Sequence, residues 1–331
     1  MSAFAHAGNP LRQALWPLGL LWGGIAALRN WTFAAGLRRV HRLPVPVVSV
    51  GNLTVGGTGK TPVTAWLCAL AKSAGRTPGV LARGYGKAPG ALLNDEGLLL
   101  AARLPWLLQE QDPDRVAAGA RLVARGADWI VLDDGFQHRR LHRDVDLVCV
   151  DARAPFGNGQ CLPAGDLREF RSGLRRASLL LLTRANGLAA SEVAARTARL
   201  HELAGRAIPV HACEHAPSAL VRMPDSAAVE LATLAGRPVV LLSAIAKPAS
   251  FRATVEQLGG RIVREFVHRD HHRFTPADLA AATAAAQAAA AWLVVTEKDD
   301  AKLAGSDCER HVLRIELRFL DAPPGPAELR L

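Results

Sequence analysis

Residues 50 to 64, VGNLTVGGTGKTPVT, constrain the fold of this chain more than any other segment. They follow the apolar run Val45 to Val50 and lead into a helix-forming stretch. Gly56, Gly57 and Gly59 let backbone N–H groups turn inward around phosphate oxygens, Lys60 reaches the β and γ phosphates, and the Thr61 hydroxyl suits Mg²⁺. A helix starting near Lys60 adds the positive end of its dipole. The cradle therefore runs Thr54, Val55, Gly56, Gly57, Thr58, Gly59, Lys60, Thr61, with a nucleoside triphosphate as its first ligand. It departs from the strict G-x-x-x-x-G-K-[ST] pattern only in having Thr54 where glycine is usual. A glycine-rich turn with no ligand is the plainer alternative, and the Gly-Lys-Thr after a buried-type strand argues against it.

Beyond the cradle, short apolar strands at 79–82, 129–132, 147–150 and 179–183 alternate with helical stretches, including one through 98–108 and one at 117–125. That rhythm predicts an α/β fold with a mainly parallel sheet covered on both faces. A second alternation follows: a strand at 239–243, a helix from about Pro248, a strand at 261–267, an alanine-rich helix 276–292, and strands at 293–296 and 311–317. Two α/β/α domains are expected, as the length of 331 residues also indicates. The boundaries are a P-loop domain over 41–212, a short β linker over 213–236, and a smaller α/β domain over 237–331 closing an active-site cleft.

Residues 1–40 form a separate region. Ala14 to Leu28 carries no charge between Arg12 and Arg29, yet it is shorter than the 18 or more apolar residues of a spanning helix. Three of the seven tryptophans, Trp16, Trp22 and Trp31, fall here, with Arg38, Arg39 and Arg42 just beyond. Tryptophan and arginine around an apolar face suit a helix lying in a membrane interface; packing on the protein's own core is the alternative. The net charge of +10 favours a polyanionic partner without choosing among nucleotide, nucleic acid, phosphorylated substrate and anionic lipid. Five dispersed cysteines with no C-x-x-C pair argue against a disulfide framework or zinc site.

The run WIVLDDGFQHRR puts Asp133 and Asp134 at the carboxyl end of a buried strand, where open α/β sheets bind ligands. Beside a P-loop this is a Walker B arrangement holding Mg²⁺ or its waters. His138 and His142 at i, i+4, and His268, His271 and His272, are groupings that suggest metal sites, but no third ligand of standard spacing accompanies the first pair, and a surface or substrate-contacting role is expected for each. Lys298-x-Asp300 in TEKDD is like the guanine-reading N-K-x-D, with Glu297 in place of asparagine. The glycine- and proline-rich stretch 156–170 reads as a long functional loop ending in Arg168 and Glu169.

Together, LPVPVVSVGNLTVGGTGKTP, LARGYG, NDE, LDDGFQHRRLHRD, FGNGQCLPAGDLRE, RDHHRF and VVTEKDD resemble the tetraacyldisaccharide 4'-kinase family, in the family's order from about residue 43 to 300. The resemblance implies transfer of the ATP γ-phosphate to the 4'-hydroxyl of a tetraacylated glucosamine disaccharide 1-phosphate, giving lipid IVA at the cytoplasmic face of the bacterial inner membrane. It implies a lipid substrate and a membrane surface as partners, with no nucleic acid and no protein partner. It also implies a catalytic pair, Asp95 and His271, with Lys60 acting on the phosphates. The metal group is Thr61, Asp133, Asp134 and Glu169, with Asp134 favoured for direct contact, and the substrate group is Arg83, Tyr85, Arg115, His138 and Arg168. Asn94 and Gly97 depart from the family pattern around Asp95. Asp95 lies in the first domain and His271 in the second, so the pair is expected to assemble on domain closure.

Competing readings are a P-loop GTPase or metal-delivery NTPase, in which GTP competes with ATP, and a nucleic-acid-dependent ATPase. The latter fits the charge but has no recognisable nucleic-acid module and few aromatics for base stacking. A purely structural membrane-associated protein leaves the GKT and DDG motifs without a role.

Overall fold

The computed structural model describes residues 12, 14–87 and 90–331; the first eleven residues of the predicted membrane-associating region, and residue 13, lie outside them. The chain divides into two compact units. The first takes residues up to 84, 106–215 and 317–331, and the second takes 85–105 and 216–316.

The first unit is built on strands β1 (Val47–Gly51), β2 (Pro78–Ala82), β3 (Leu108–Gln111), β4 (Trp129–Asp133), β5 (Val145–Asp151), β6 (Leu179–Thr183) and the beginning of β7 (Val210–Met223). They lie parallel in the order β7-β6-β5-β1-β4-β2-β3. Every residue of β1, β2, β5 and β6 is buried, which is why these strands read as mainly apolar runs rather than as alternation, with Asp146 and Asp151 the charged exceptions in β5. One face carries Val47, Ile130 and Leu132 against Leu122 of the helix Arg115–Ala124. The other carries Val148, Val150, Leu180 and Leu182 against Leu200 of the helix Ala190–Ala204. Each such side chain contributes about 1.5–3 kcal/mol by leaving water. Strands β2 to β4 lie on one side of β1 and β5 to β7 on the other, so the order reverses at β1, the position where doubly wound sheets place ligands. Val50 is in register with Asp133, which sets the end of β4 beside the exit of β1.

The amino-terminal helix Trp16–Ala34 also belongs to this unit. Gly19 and Gly23 let it pack closely on this unit: a Cβ on Gly19 would lie 2.8 Å from the Cys161 carbonyl oxygen, and one on Gly23 would lie 2.4 Å from the Phe170 ring. Phe33 is buried as well, whereas Trp16, Leu18, Leu20, Leu21, Trp22, Ile25, Leu28 and Trp31 are exposed. One face of this segment thus packs on the protein itself, and the other leaves its tryptophans and leucines exposed. No helix among the described residues is long and apolar enough to cross a membrane.

The second unit contains the end of β7, β8 (Ala227–Val229), β9 (Pro238–Ser243), β10 (Arg261–Val267), β11 (Trp292–Thr296) and most of β12 (Arg310–Phe319). The order β10-β9-β11-β12 is parallel, and β8 returns antiparallel on β7. Alternation on β9 is complete. Val239 and Leu241 pack with Phe251 and Val255 of the helix Pro248–Gln257, whereas Val240 and Leu242 pack with Ala282 and Ala286 of the helix Pro276–Ala288.

The short β linker expected over 213–236 is β structure: β7 runs from 210 as a full sheet member and then turns into the β7–β8 hairpin. Three expectations need correction. The helix expected through 98–108 ends at Arg103, since Pro105 stops it, and Leu108 already belongs to β3. The alanine-rich helix ends at Ala288 and Trp292 opens β11. Residues 85–105, placed by sequence order in the first domain, pack in the second unit, and 317–331 pack in the first. The cause is visible in the helix Asp95–Arg103: its Arg103 pairs with Glu297 and its Glu96 with Lys298, residues of the short helix Glu297–Lys302.

Candidate active site

In the first unit, the loop after β1 enters the helix Lys60–Ser73 through Gly59, whose φ of 81° is a left-handed conformation. The His215 ring stands where a Gly59 Cβ would be, at 2.3 Å, so glycine is required by conformation and by space. Lys60 Nζ donates to Asn52 Oδ1 at 3.2 Å and lies 3.5 Å from Asp134 Oδ1. Thr58 is buried and its carbonyl accepts from the Thr183 hydroxyl at 2.9 Å, tying the cradle to β6.

Asp133 closes β4 and accepts from Thr64 Oγ1 at 3.2 Å. Asp134 follows at φ 49°, a strained conformation for a residue with a Cβ, and turns toward Lys60 and toward Arg168, whose guanidinium donates to it at 2.7 Å. Burial works to raise the Asp134 carboxyl, but Lys60 and Arg168 outweigh it and leave it below the usual carboxylate range. Its Oδ1 is buried, with the Lys60 ammonium 3.5 Å away. Arg115, the first residue of its helix, is buried and donates to His138 Nδ1 at 3.0 Å. Burial, then Arg115 and Arg143, push the His138 imidazole down to about 4, so it is neutral at physiological pH.

Thr61, Asp133 and Asp134 offer hard oxygens of the kind Mg²⁺ takes, and the buried Asp134 carboxylate, held below the usual range and so charged, fits such an ion. Glu169, expected in that set, is occupied otherwise. Its oxygens accept from Asn30 at 2.7 Å, Gln137 at 3.0 Å and Arg176 at 2.8 Å, and it is buried. It anchors the amino-terminal helix to the DDGFQH turn rather than presenting an open oxygen. Asn52 and Gln137, which sequence reasoning did not single out, complete this layer: Gln137 donates to the Asn52 carbonyl at 2.9 Å. Their only sequence signal is membership of the flanking motifs. Arg83 is exposed after β2.

In the second unit, Asp95 is the first residue of its helix and is buried. The Asn94 side chain caps that helix by accepting from Gly97 N at 3.0 Å. The two departures around Asp95 therefore work together as a cap, and the helix dipole favours the Asp95 charge. Asp95 Oδ2 lies 3.0 Å from His271 Nδ1. His271 holds φ 62° in the loop between β10 and the helix Pro276–Ala288. Its Nε2 is 3.6 Å from Asp270 and 4.0 Å from Glu96. Burial raises the Asp95 carboxyl, yet His271, Lys302 and Lys298 outweigh it and hold it below its ordinary value. The contact with Asp95 in turn raises His271. The pair lies wholly within this unit and does not wait for a second domain to supply one member. Tyr85, at the start of the unit, is 73 % exposed.

The histidines outside the Asp95–His271 pair have other contacts. His268, His272 and Asp278 bring ligand-type atoms within 4.8 Å of one another. The two rings stack 4.4 Å apart at 9°. Asp278 Oδ2 is already used, accepting from Thr275 N at 2.8 Å and contacting His272 at 2.9 Å. His142 pairs with Asp144 rather than with His138. Lys298 bridges Glu96 at 3.0 Å and Asp270 at 3.1 Å, a use that the guanine-motif likeness did not foresee.

Residues 11–329 match the model of the tetraacyldisaccharide-1-P 4'-kinase family, LpxK. A tetraacyldisaccharide 4'-kinase of Anaeromyxobacter sp. (strain K) is 42% identical, over 96% of this chain and 88% of that protein. One from Geobacter sulfurreducens is 35% identical over 94% and 90% respectively. The crystal structure of "apo" form LpxK from Aquifex aeolicus in complex with ATP superposes with a TM-score of 0.74 at 28% identity, covering 93% of this chain and 95% of that one.

Proposed function

Because this chain belongs to the tetraacyldisaccharide 4'-kinase family, we propose that its two units divide one reaction between phosphoryl donor and acceptor. The enzyme is an ATP-dependent kinase that phosphorylates the 4'-hydroxyl of tetraacyldisaccharide 1-phosphate, a step in lipid A biosynthesis. The P-loop residues Thr54 to Thr61 take the ATP phosphates, and Lys60 offsets charge on the transferring group. Thr61, Asp133 and Asp134 would hold Mg²⁺, which would neutralise phosphate charge when bound. Arg115 and Arg168 add guanidinium charge, and neutral His138 offers an imidazole to substrate rather than a further cation. Arg83 and Tyr85, both exposed, remain candidates for the substrate surface.

The observation that carries the acceptor chemistry is the 3.0 Å contact of Asp95 with His271 at a helix amino terminus. A sugar hydroxyl is a weak nucleophile at neutral pH. Asp95, ionised there, accepts its proton as the new P–O bond forms and the β,γ P–O bond of ATP breaks, and the proton is held by the Asp95–His271 pair. The exposed tryptophan and leucine face of the amino-terminal helix supports a peripheral position on a membrane surface, the inner leaflet facing the cytoplasm, where the lipid substrate resides.

Incubation with ATP and the disaccharide in mixed micelles, followed by phosphorus NMR of the recovered lipid, tests this reading. A new phosphate monoester at the 4' position is the expected product. ATP consumption without a new ester sinks the acceptor assignment, and equal use of GTP revives the GTPase alternative.

A further inference from the structure

The Asp95–His271 pair does not stand alone, because a third group touches the same carboxylate oxygen. Lys302 ends the short helix Glu297–Lys302. Its side chain is 4% exposed, with Nζ 3.7 Å from Asp95 Oδ2. Three contacts fix that ammonium: Asp299 Oδ1 at 3.1 Å, the Ala244 carbonyl at 3.0 Å, and the Phe274 ring, whose centroid is 5.6 Å away. Asp299 is itself fully buried and fixed. It accepts from Ala244 N at 3.1 Å and from the Thr296 hydroxyl at 2.7 Å. Three separate chain segments meet at this one cation: the amino terminus of the Asp95 helix, the end of β9, and, through Phe274, the loop that carries His271.

We propose that Lys302, clamped by Asp299, is a positioning residue for proton transfer: it holds the Asp95 carboxylate against His271 Nδ1 and fixes the His271 loop through Phe274. The inference rests on the assignment of Asp95 and His271 to that step. A lysine serving only to close the core has no need to lie against the oxygen that His271 also uses. The groups facing Asp95 are His271 from the loop and Lys302 and Lys298 from the short helix, with Glu96 beside it on its own helix and Asp270 and Asp299 behind the three cations. Of these cations, Lys302 is the only one held by backbone and buried carboxylate together. Losing its charge raises the proton affinity of Asp95 and of the pair as a whole.

Lys302→Gln separates positioning from folding. The expected result is a kcat lower by about 100-fold, an unchanged KM for ATP, and an acidic limb of the pH–kcat profile moved to higher pH. Lys302→Arg, which keeps the charge, should return the limb to its original place while recovering only part of kcat. A limb that stays put in Lys302→Gln, or a profile that moves equally in Lys302→Arg, overturns the proposal. If the glutamine variant does not fold, Lys302→Arg decides alone: undiminished kcat with the larger head group refutes the positional role. Asp95→Asn, measured alongside, keeps the two claims apart. Wild-type turnover in that variant removes the underlying assignment, whereas loss there with an unmoved limb in Lys302→Gln removes only the role of Lys302.

Discussion

The nucleotide side and the acceptor side proposed for this enzyme are made in different ways. In the first unit the key geometry is backbone: Gly59 in a left-handed conformation, the His215 ring where its Cβ would stand, and β1 in register with the aspartates of β4. In the second unit it is a web of side-chain charge, with Asp95 held among His271, Lys302 and Lys298 and opposed by Glu96, Asp270 and Asp299. A cradle of N–H groups binds phosphate whatever the pH, whereas a carboxylate that must receive a proton depends on every charge around it. Damage to the first should therefore appear in nucleotide affinity, and damage to the second in turnover and pH dependence.

The largest effect separating the two should come from Lys60→Ala, which removes the cation on the phosphates and lowers kcat/KM for ATP by about 10³-fold. Asp95→Asn should lower kcat by about 10²–10³-fold with ATP affinity unchanged by calorimetry. If both variants lose ATP binding, the division of labour is wrong. Gly59→Ala places a Cβ in left-handed space and against His215, at a cost of about 3 kcal/mol; thermal unfolding with and without ATP should show lower stability and little protection by nucleotide. A mild outcome would mean that the cradle tolerates a side chain and that its geometry is not backbone-limited.

Two smaller effects sharpen the contrast. His271 is raised by its bond to Asp95, so its NMR titration should fall to lower pH in Asp95→Asn. By linkage, a group raised on folding adds stability at pH below its unfolded value and loses it as pH rises through the folded one. His271→Ala should therefore destabilise the protein at pH 5–6 more than at pH 9, and equal destabilisation at both would deny the pairing. Ile25→Asp on the exposed helix face should weaken binding to anionic vesicles by about 10-fold, with ATP binding intact. Undiminished vesicle binding would remove that face from the membrane contact.

The two sides also differ in how far they could be read from sequence. The cradle, its following helix and the Asp-Asp turn are local in the chain, so glycine spacing and a buried run point to them directly. Asp95 and His271 are 176 residues apart, and only resemblance to a family links them. That they share one unit was hidden because residues 85–105 leave the first unit and return, an excursion with no composition signal of its own. Glu169 looked like a metal ligand because it follows Arg168 in a motif. Its three donors, Asn30, Gln137 and Arg176, come from three places and make it an anchor. Lys302 was passed over for the same reason, since its partners Ala244, Asp95 and Phe274 meet only in the fold. The glycines of the amino-terminal helix were legible as small residues, but their packing against Cys161 and Phe170 was not.

The most direct test of the central claim is a paired measurement on Asp95→Asn: ATP affinity by calorimetry, and transfer of labelled γ-phosphate to tetraacyldisaccharide 1-phosphate in micelles. Wild-type ATP affinity with labelling of the lipid reduced at least 100-fold is the expected result. Labelling at the wild-type rate, or loss of ATP binding together with labelling, would contradict the separation of donor and acceptor chemistry.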